Sequence, residues 1–272
     1  MMRQVIIALL LGVAAIYLFV TAPPPLPETA RAQAPQTSDL PVKVLLDAAN
    51  LVNAAARKIY TERIVTPGQQ VGLVFGEDWQ EAHSKTGPLP ALFLRKVAAE
   101  LQAQGAPLAL FLGSDQPISP SNAFKGEQVR HFAALKEDRK PRYFDMPALR
   151  LQVALYPDIA AAPGCVSCHN EHPNSPKTDW RLGDVMGATT WTHPRAAVSD
   201  RELRQGIAQV YAAVERAYAA YLEKVRRIPD PPSIGSAWPG REGRRLPDAE
   251  TFMSAVKEAT AAQILDAAVL LR

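Results

Sequence analysis

The chain is 272 residues long and nearly charge-balanced, with 30 Lys and Arg against 27 Asp and Glu and a formal net charge of +3. That balance, without a long basic run, excludes a nucleic-acid-binding surface built on charge. An apolar fraction of 47% is enough to bury a core, and the 24 prolines, gathered toward both ends, indicate extended linkers around folded segments.

The chain opens with MMRQVIIALLLGVAAIYLFVTAPPP, one basic residue (Arg3) followed by an unbroken apolar run over 5–20. At about 16 residues the run lies between the apolar segment of a signal peptide and a full membrane span. Small residues suited to cleavage (Ala30, Ala32, Ala34) lie beyond a proline cluster. Residues 1–22 are therefore expected to be a signal peptide or an uncleaved membrane anchor, and 23–41 a Pro-rich linker. The rest of the chain is expected to be periplasmic or otherwise extracytoplasmic, touching the membrane only if the anchor is kept.

From residue 42 a helical period begins. Val42, Leu45, Leu46, Ala49, Val52, Ala56, Ile59 and Tyr60 fall on one side of a long helix that runs on toward Val65. A polar loop follows over 78–85, then a second helix with Pro90 near its start and Gly105 just past its end. APLALFLG reads as a buried strand. SNAFKGEQVRHFAALKED reads as a third helix, with Phe124, Val129, Phe132 and Leu135 turned inward. ALRLQVALY alternates as a strand, Leu149, Leu151, Val153 and Leu155 on one face, and GDVMGATTW is another, with Val185, Thr189 and Trp191 on one face.

Between these two strands lies PGCVSCHNEHPNSPKTDW, read as a loop, which holds both cysteines of the chain, Cys165 and Cys168, and His169 directly after them. The spacing C-x-x-C-H is the attachment signal of c-type haem: two thiols add to the two vinyl groups on one edge of the porphyrin, and the adjacent histidine ligates the iron. A disulfide, a redox dithiol and a zinc site completed by His172 or His193 are the alternatives, but prolines flank the motif and the spacing matches no common zinc pattern. One motif implies one covalent haem c, with His169 as the axial ligand.

Strands on both sides of the motif and helices before it indicate an α+β domain, with an antiparallel sheet and flanking helices. The sixth iron ligand is open. Met186 and His131 are the first candidates, with His83, His193 and Met146 behind them; His172, three residues past His169, would have to cross to the other face of the ring. Lys177, Asp179 and Trp180 read either as groups that tune His169 and the haem or as a turn with a surface ion pair and a packed aromatic. No catalytic triad, paired carboxylates or phosphate loop is present, so no enzymatic activity is expected.

CVSCHNEHPNSPKTDWRLGDVMGA, together with ARKIYT at 56–61 and GPLPALFLRKVAAELQAQG, resembles the single-haem, PAS-like c-type sensor domain family. Its members occur as stand-alone exported proteins and as extracytoplasmic parts of adenylate cyclases, histidine kinases and chemoreceptors. The resemblance covers about 42–191 and implies a PAS-like sheet with a long N-terminal helix and His169 as proximal ligand. Some members take the second axial ligand from a cysteine on the N-terminal helix, and this chain has no third cysteine.

Past the expected domain at 42–195, a helical C-terminal extension spans 196–272. It begins with a capping box, Ser199 and Glu202, and a seam of Leu203, Ile207, Val210, Val214, Ala217 and Tyr221. The seam suits either its own domain or a second copy of the chain. A Pro/Gly-rich linker near 229–247 leads to a last helix that is apolar at Ile264, Leu265, Val269, Leu270 and Leu271. The sequence thus reads as an exported monohaem protein for redox sensing or electron transfer with an unidentified redox or signalling partner. A haem module that senses a diatomic gas and a structural haem subunit of a membrane complex are the other readings.

Overall fold

The computed structural model of the chain describes residues 39–228 and 246–269, with side chains as far as Ile264. The expected signal or anchor segment, most of both Pro-rich linkers and the apolar side chains beyond Ile264 lie outside the described residues. Among those residues, no helix is long and apolar enough to cross a membrane.

The fold is α+β. After a two-residue strand β1 (Leu40–Pro41), helix α1 (Val42–Tyr60) buries every one of the apolar residues its period selects. It passes without a break through one π-helical stretch (Thr61–Val65) into α2 (Thr66–Gln70). Short strands β2 (Phe75–Gly76) and β3 (Gly87–Pro88) bracket the expected loop, in which Trp79 is buried. Helix α3 (Pro90–Ala103) ends before Gly105, whose φ of +65° suits the left-handed residue that closes a helix. Then come β4 (Ala109–Gly113), α4 (Glu127–Asp138), β5 (Arg142–Met146), β6 (Leu151–Ile159), α5 (Pro163–Glu171), β7 (Val185–His193) and β8 (Ala197–Val198). Helices α6 (Asp200–Arg227) and α7 (Ala249–Val269) complete the chain.

One antiparallel sheet of order β4-β7-β6-β5 forms the centre. Its two inner strands are covered on both faces, because a strand's side chains alternate between them. Leu110, Ala154, Tyr156 and Trp191 pack into the larger core with α1, α3, α6 and α7. Val153, Leu155 and Ala188 pack against Phe124, Phe132 and Leu135 from the α4 side. This two-sided burial corrects the simple alternation expected for β6: Val153, Ala154, Leu155 and Tyr156 are all buried, and Leu149 lies before the strand in a turn, 60% exposed. The third helix is also shorter than expected. It starts at Glu127, leaves Phe124 in the loop before it, and turns Val129 outward.

The expected boundary between 195 and 196 does not divide the core. The capping box of Ser199 and Glu202 forms at the start of α6, and Leu203, Val210, Val214, Ala217 and Tyr221 enter the same apolar cluster as α1. The seam that sequence offered to a second copy is used within the chain, and Val198 of β8 pairs with Leu40 beside it.

Candidate functional site

The motif sits on a helix rather than in a loop. Pro163 supplies the first turn of α5, where its missing N–H costs nothing and its fixed φ suits the start. Cys165, Cys168 and His169 are related by i, i+3 and i+4, so all three side chains share one face of that helix. All three line a cavity of about 400 Å³. The two thiols are free of each other, with no disulfide between them.

Other walls come from distant parts of the chain. Helix α1 and the π-helical stretch contribute Arg57, Thr61 and Val65; the start of α3 contributes Leu89–Leu92; the end of β4 and the loop after it contribute Leu112–Ser114 and Ile118. Arg57 pairs with Asp158 at the end of β6, and both side chains face the cavity. Burial opposes the charge on Arg57, yet the Asp158 carboxylate beside it more than compensates and raises its pKa. This pair bridges residues 101 positions apart, and neither member stood out in the sequence.

Met186 reaches the site through a fault in the sheet. Asp158 pairs with Gly187 while Ile159 pairs with Val185, so Met186 is the extra residue of a β-bulge. The bulge shifts the parity of β7: Val185 packs on the α4 side with Ala188, whereas Trp191 faces the larger core. The two therefore do not share the face that alternation predicts. Met186 packs with Ala160 and Trp180, against Cys165 and Val166. Its carbonyl accepts from Ser114 Oγ at 2.6 Å, which ties the bulge to the end of β4.

Trp180 meets the His169 ring edge to face, with centroids 6.3 Å apart and planes at 84°. Lys177 lies over the outer side of the Trp180 ring, 4.8 Å from its centroid, and pairs with Asp179 at the surface. The segment forms a turn with a surface ion pair and a packed aromatic, and that aromatic lies beside His169. His169 Nδ1 is buried with no hydrogen-bond partner. Burial first, with His172 and Arg57 adding to it against Asp158, lowers the pKa of His169, which favours the neutral imidazole that can donate a lone pair. Burial raises the pKa of Cys168, with Glu77 and Cys165 adding to it, the reverse of the activated thiolate a redox dithiol needs.

The remaining candidates are dispersed. His131 stacks on Phe144, with centroids 3.8 Å apart, and does not line the cavity. His172 caps the turn after α5, its Nδ1 accepting from the Asn174 amide at 3.1 Å. His193 is buried in the last position of β7 and accepts the Arg195 amide at 3.1 Å. His83 is exposed, and Met146 packs beside the α4 cluster. Among the described residues no group of three or more His, Cys, Asp or Glu side chains is placed to hold a metal ion, so a zinc site lacks its remaining ligands. Two thiols and an imidazole on one helical face and a largely apolar cavity fit a covalently attached haem.

A family model described as Tll0287-like matches residues 28–194. No curated protein and no solved structure matches the chain.

Proposed function

Because the chain belongs to the Tll0287-like family, known as a haem-binding, sensor-like domain, we propose that it is an exported monohaem c-type protein that acts in redox sensing or electron transfer. The observation that carries this reading is the common face of Cys165, Cys168 and His169, turned into a cavity of about 400 Å³. When bound, the haem supplies a one-electron ferric/ferrous couple.

The chain's own residues set the conditions for that couple. Cys165 and Cys168 would hold the haem covalently, and His169, its imidazole kept neutral and set against Trp180, would ligate it. Leu89, Leu92, Leu112 and Ile118 exclude water from the walls, and the Arg57–Asp158 pair places opposite charges at the cavity without a net one. A partner, either a redox protein or a signalling component, would receive the electron or a change in conformation. The long helix packed on an antiparallel sheet supports the PAS-like form of this reading. The apolar segment at 5–20 supports export, with or without retention at the membrane.

The test is a pyridine haemochrome of full-length protein made with a cytochrome c maturation system, before and after denaturing extraction. Haem should stay with the wild-type polypeptide and be extracted from the Cys165→Ala/Cys168→Ala variant. Wild-type protein that loses its haem on extraction, or never acquires one, would sink the proposal.

A further inference from the structure

A haem held through His169 needs either a second protein ligand or a partner from outside. Of the described residues that line the cavity, only His169, Met186 and the two thiols carry an imidazole or sulfur donor. The thiols are consumed by attachment in the reading above, on which this inference rests. Among the described lining residues Met186 is therefore the remaining sulfur or imidazole candidate, and its surroundings oppose that role. The bulge turns it toward the motif, where it packs with Trp180 and Ala160 against Cys165 and Val166. Trp180 is the same ring that meets His169 edge-on, so Met186 belongs to the layer that supports the histidine. Its backbone there is held twice, by the bulge register and by the Ser114 bond to its carbonyl.

The wall formed by the long helix offers different chemistry. Arg57, Thr61 and Val65 repeat every fourth residue and line the cavity as one stripe. None of them ligates iron. The Thr61 hydroxyl donates to the Arg57 carbonyl at 2.8 Å, where the α-helix gives way to its π-helical stretch, a departure found often at functional positions. The Arg57 guanidinium has five N–H donors, and Asp158 takes only part of that capacity. Arg57 lines the same cavity as Cys165 and His169. A cation with spare donors, set in a largely apolar cavity next to the attachment site, is suited to a small anion.

We propose that the protein leaves the sixth coordination position of its haem open, and that this position takes a small exogenous anion in the ferric state, steadied by Arg57.

Azide is the probe, titrated into ferric full-length holoprotein and followed by the Soret shift. The wild type should bind it in a single saturable step, and Met186→Leu should bind it equally well. Arg57→Gln should weaken binding about tenfold or more, the scale of one charge contact in a partly screened site. Arg57→Gln also leaves the Asp158 carboxylate unpaired beside the anion. The double variant Arg57→Gln/Asp158→Asn removes that repulsion and guards against misfolding of the single variant. It should show a smaller but still clear loss, that of the guanidinium donors alone. Three results would overturn the proposal: a sulfur-to-iron charge-transfer band in the wild type that Met186→Leu abolishes, azide binding seen only in Met186→Leu, or unchanged azide affinity in the double variant. Absence of covalent haem is a separate result, read from the haemochrome, and would instead remove the function proposed above.

Discussion

Asn170 grips the backbone of Trp180 from both directions: its Oδ1 accepts from the Trp180 amide at 2.8 Å, and its Nδ2 donates to the Trp180 carbonyl at 3.1 Å. Asn170 is the residue after His169 on α5, and Trp180 is the ring against that histidine. One side chain thereby fastens the loop after the helix to the helix itself. Asn170→Ala removes both bonds and is expected to cost about 1–3 kcal/mol, with the unfolding midpoint in urea lowered accordingly. In the holoprotein it should also alter the Soret band, because Trp180 is no longer held against His169, the proposed axial ligand. Asn170→Asp keeps the acceptor and should fall between the two. Equal stability of all three proteins would show that the loop is held by something else.

Gly187 approaches the other edge of the cavity for a different reason. A Cβ there would come within 2.6 Å of the Gly113 carbonyl, a backbone atom that cannot swing away. Gly187→Ala must therefore push β4 from β7 at the end where both strands line the cavity, at a cost of about 1–3 kcal/mol. Amide hydrogen exchange is the direct readout: protection over Ala109–Gly113 should fall more than protection over β5 and β6. A uniform change across the sheet would argue against a local clash.

How much of this was legible in the sequence depended on what fixes each feature. The C-x-x-C-H motif stood out because its spacing is the one that two vinyl groups and one iron would dictate. Helix α1 was legible because eight apolar residues repeat over five turns. Helix α5 was not, since nine residues beginning Pro-Gly show no apolar period, and its helical form became visible only as a shared face for Cys165, Cys168 and His169. Strand β5 was missed as a short, half-exposed edge. The place of Met186 depends on one extra residue in β7, and a pattern of period two cannot reveal the register slip that creates it. Arg57 and Asp158 meet only through the packing of α1 on the sheet. A lone arginine on the inner side of an apolar helix was the one signal that could have drawn attention to the pair.

Tyr60 joins the long helix to the start of α3. Its ring stacks on Phe93, with centroids 4.3 Å apart, and its hydroxyl donates to the buried Pro88 carbonyl at 2.8 Å. Tyr60→Phe keeps the stack and strips the carbonyl of that donor, so a loss of about 1–3 kcal/mol is expected from the hydroxyl alone. Adding Phe93→Leu should cost more again without abolishing the first effect. A Tyr60→Phe protein as stable as the wild type would mean that water reaches the Pro88 carbonyl.

Glu202 gives a test in pH. At the start of α6 its carboxylate accepts from the Ser199 amide at 2.8 Å and pairs with Arg195 at 2.5 Å. The Ser199 amide first, then Arg195, bring its pKa down from 4.5 to about 2. Because the folded value is depressed, the stabilisation is fully present above the unfolded value, and it fades as pH falls from about 4.5 toward 2. Glu202→Ala should therefore be less stable than the wild type near neutral pH, and the gap should close through that acid window. Arg195→Ala should show a smaller gap over the same window, since the Ser199 contact survives. A Glu202→Ala deficit that stays constant down to pH 2 would assign the effect to lost packing at the cap, not to the carboxylate.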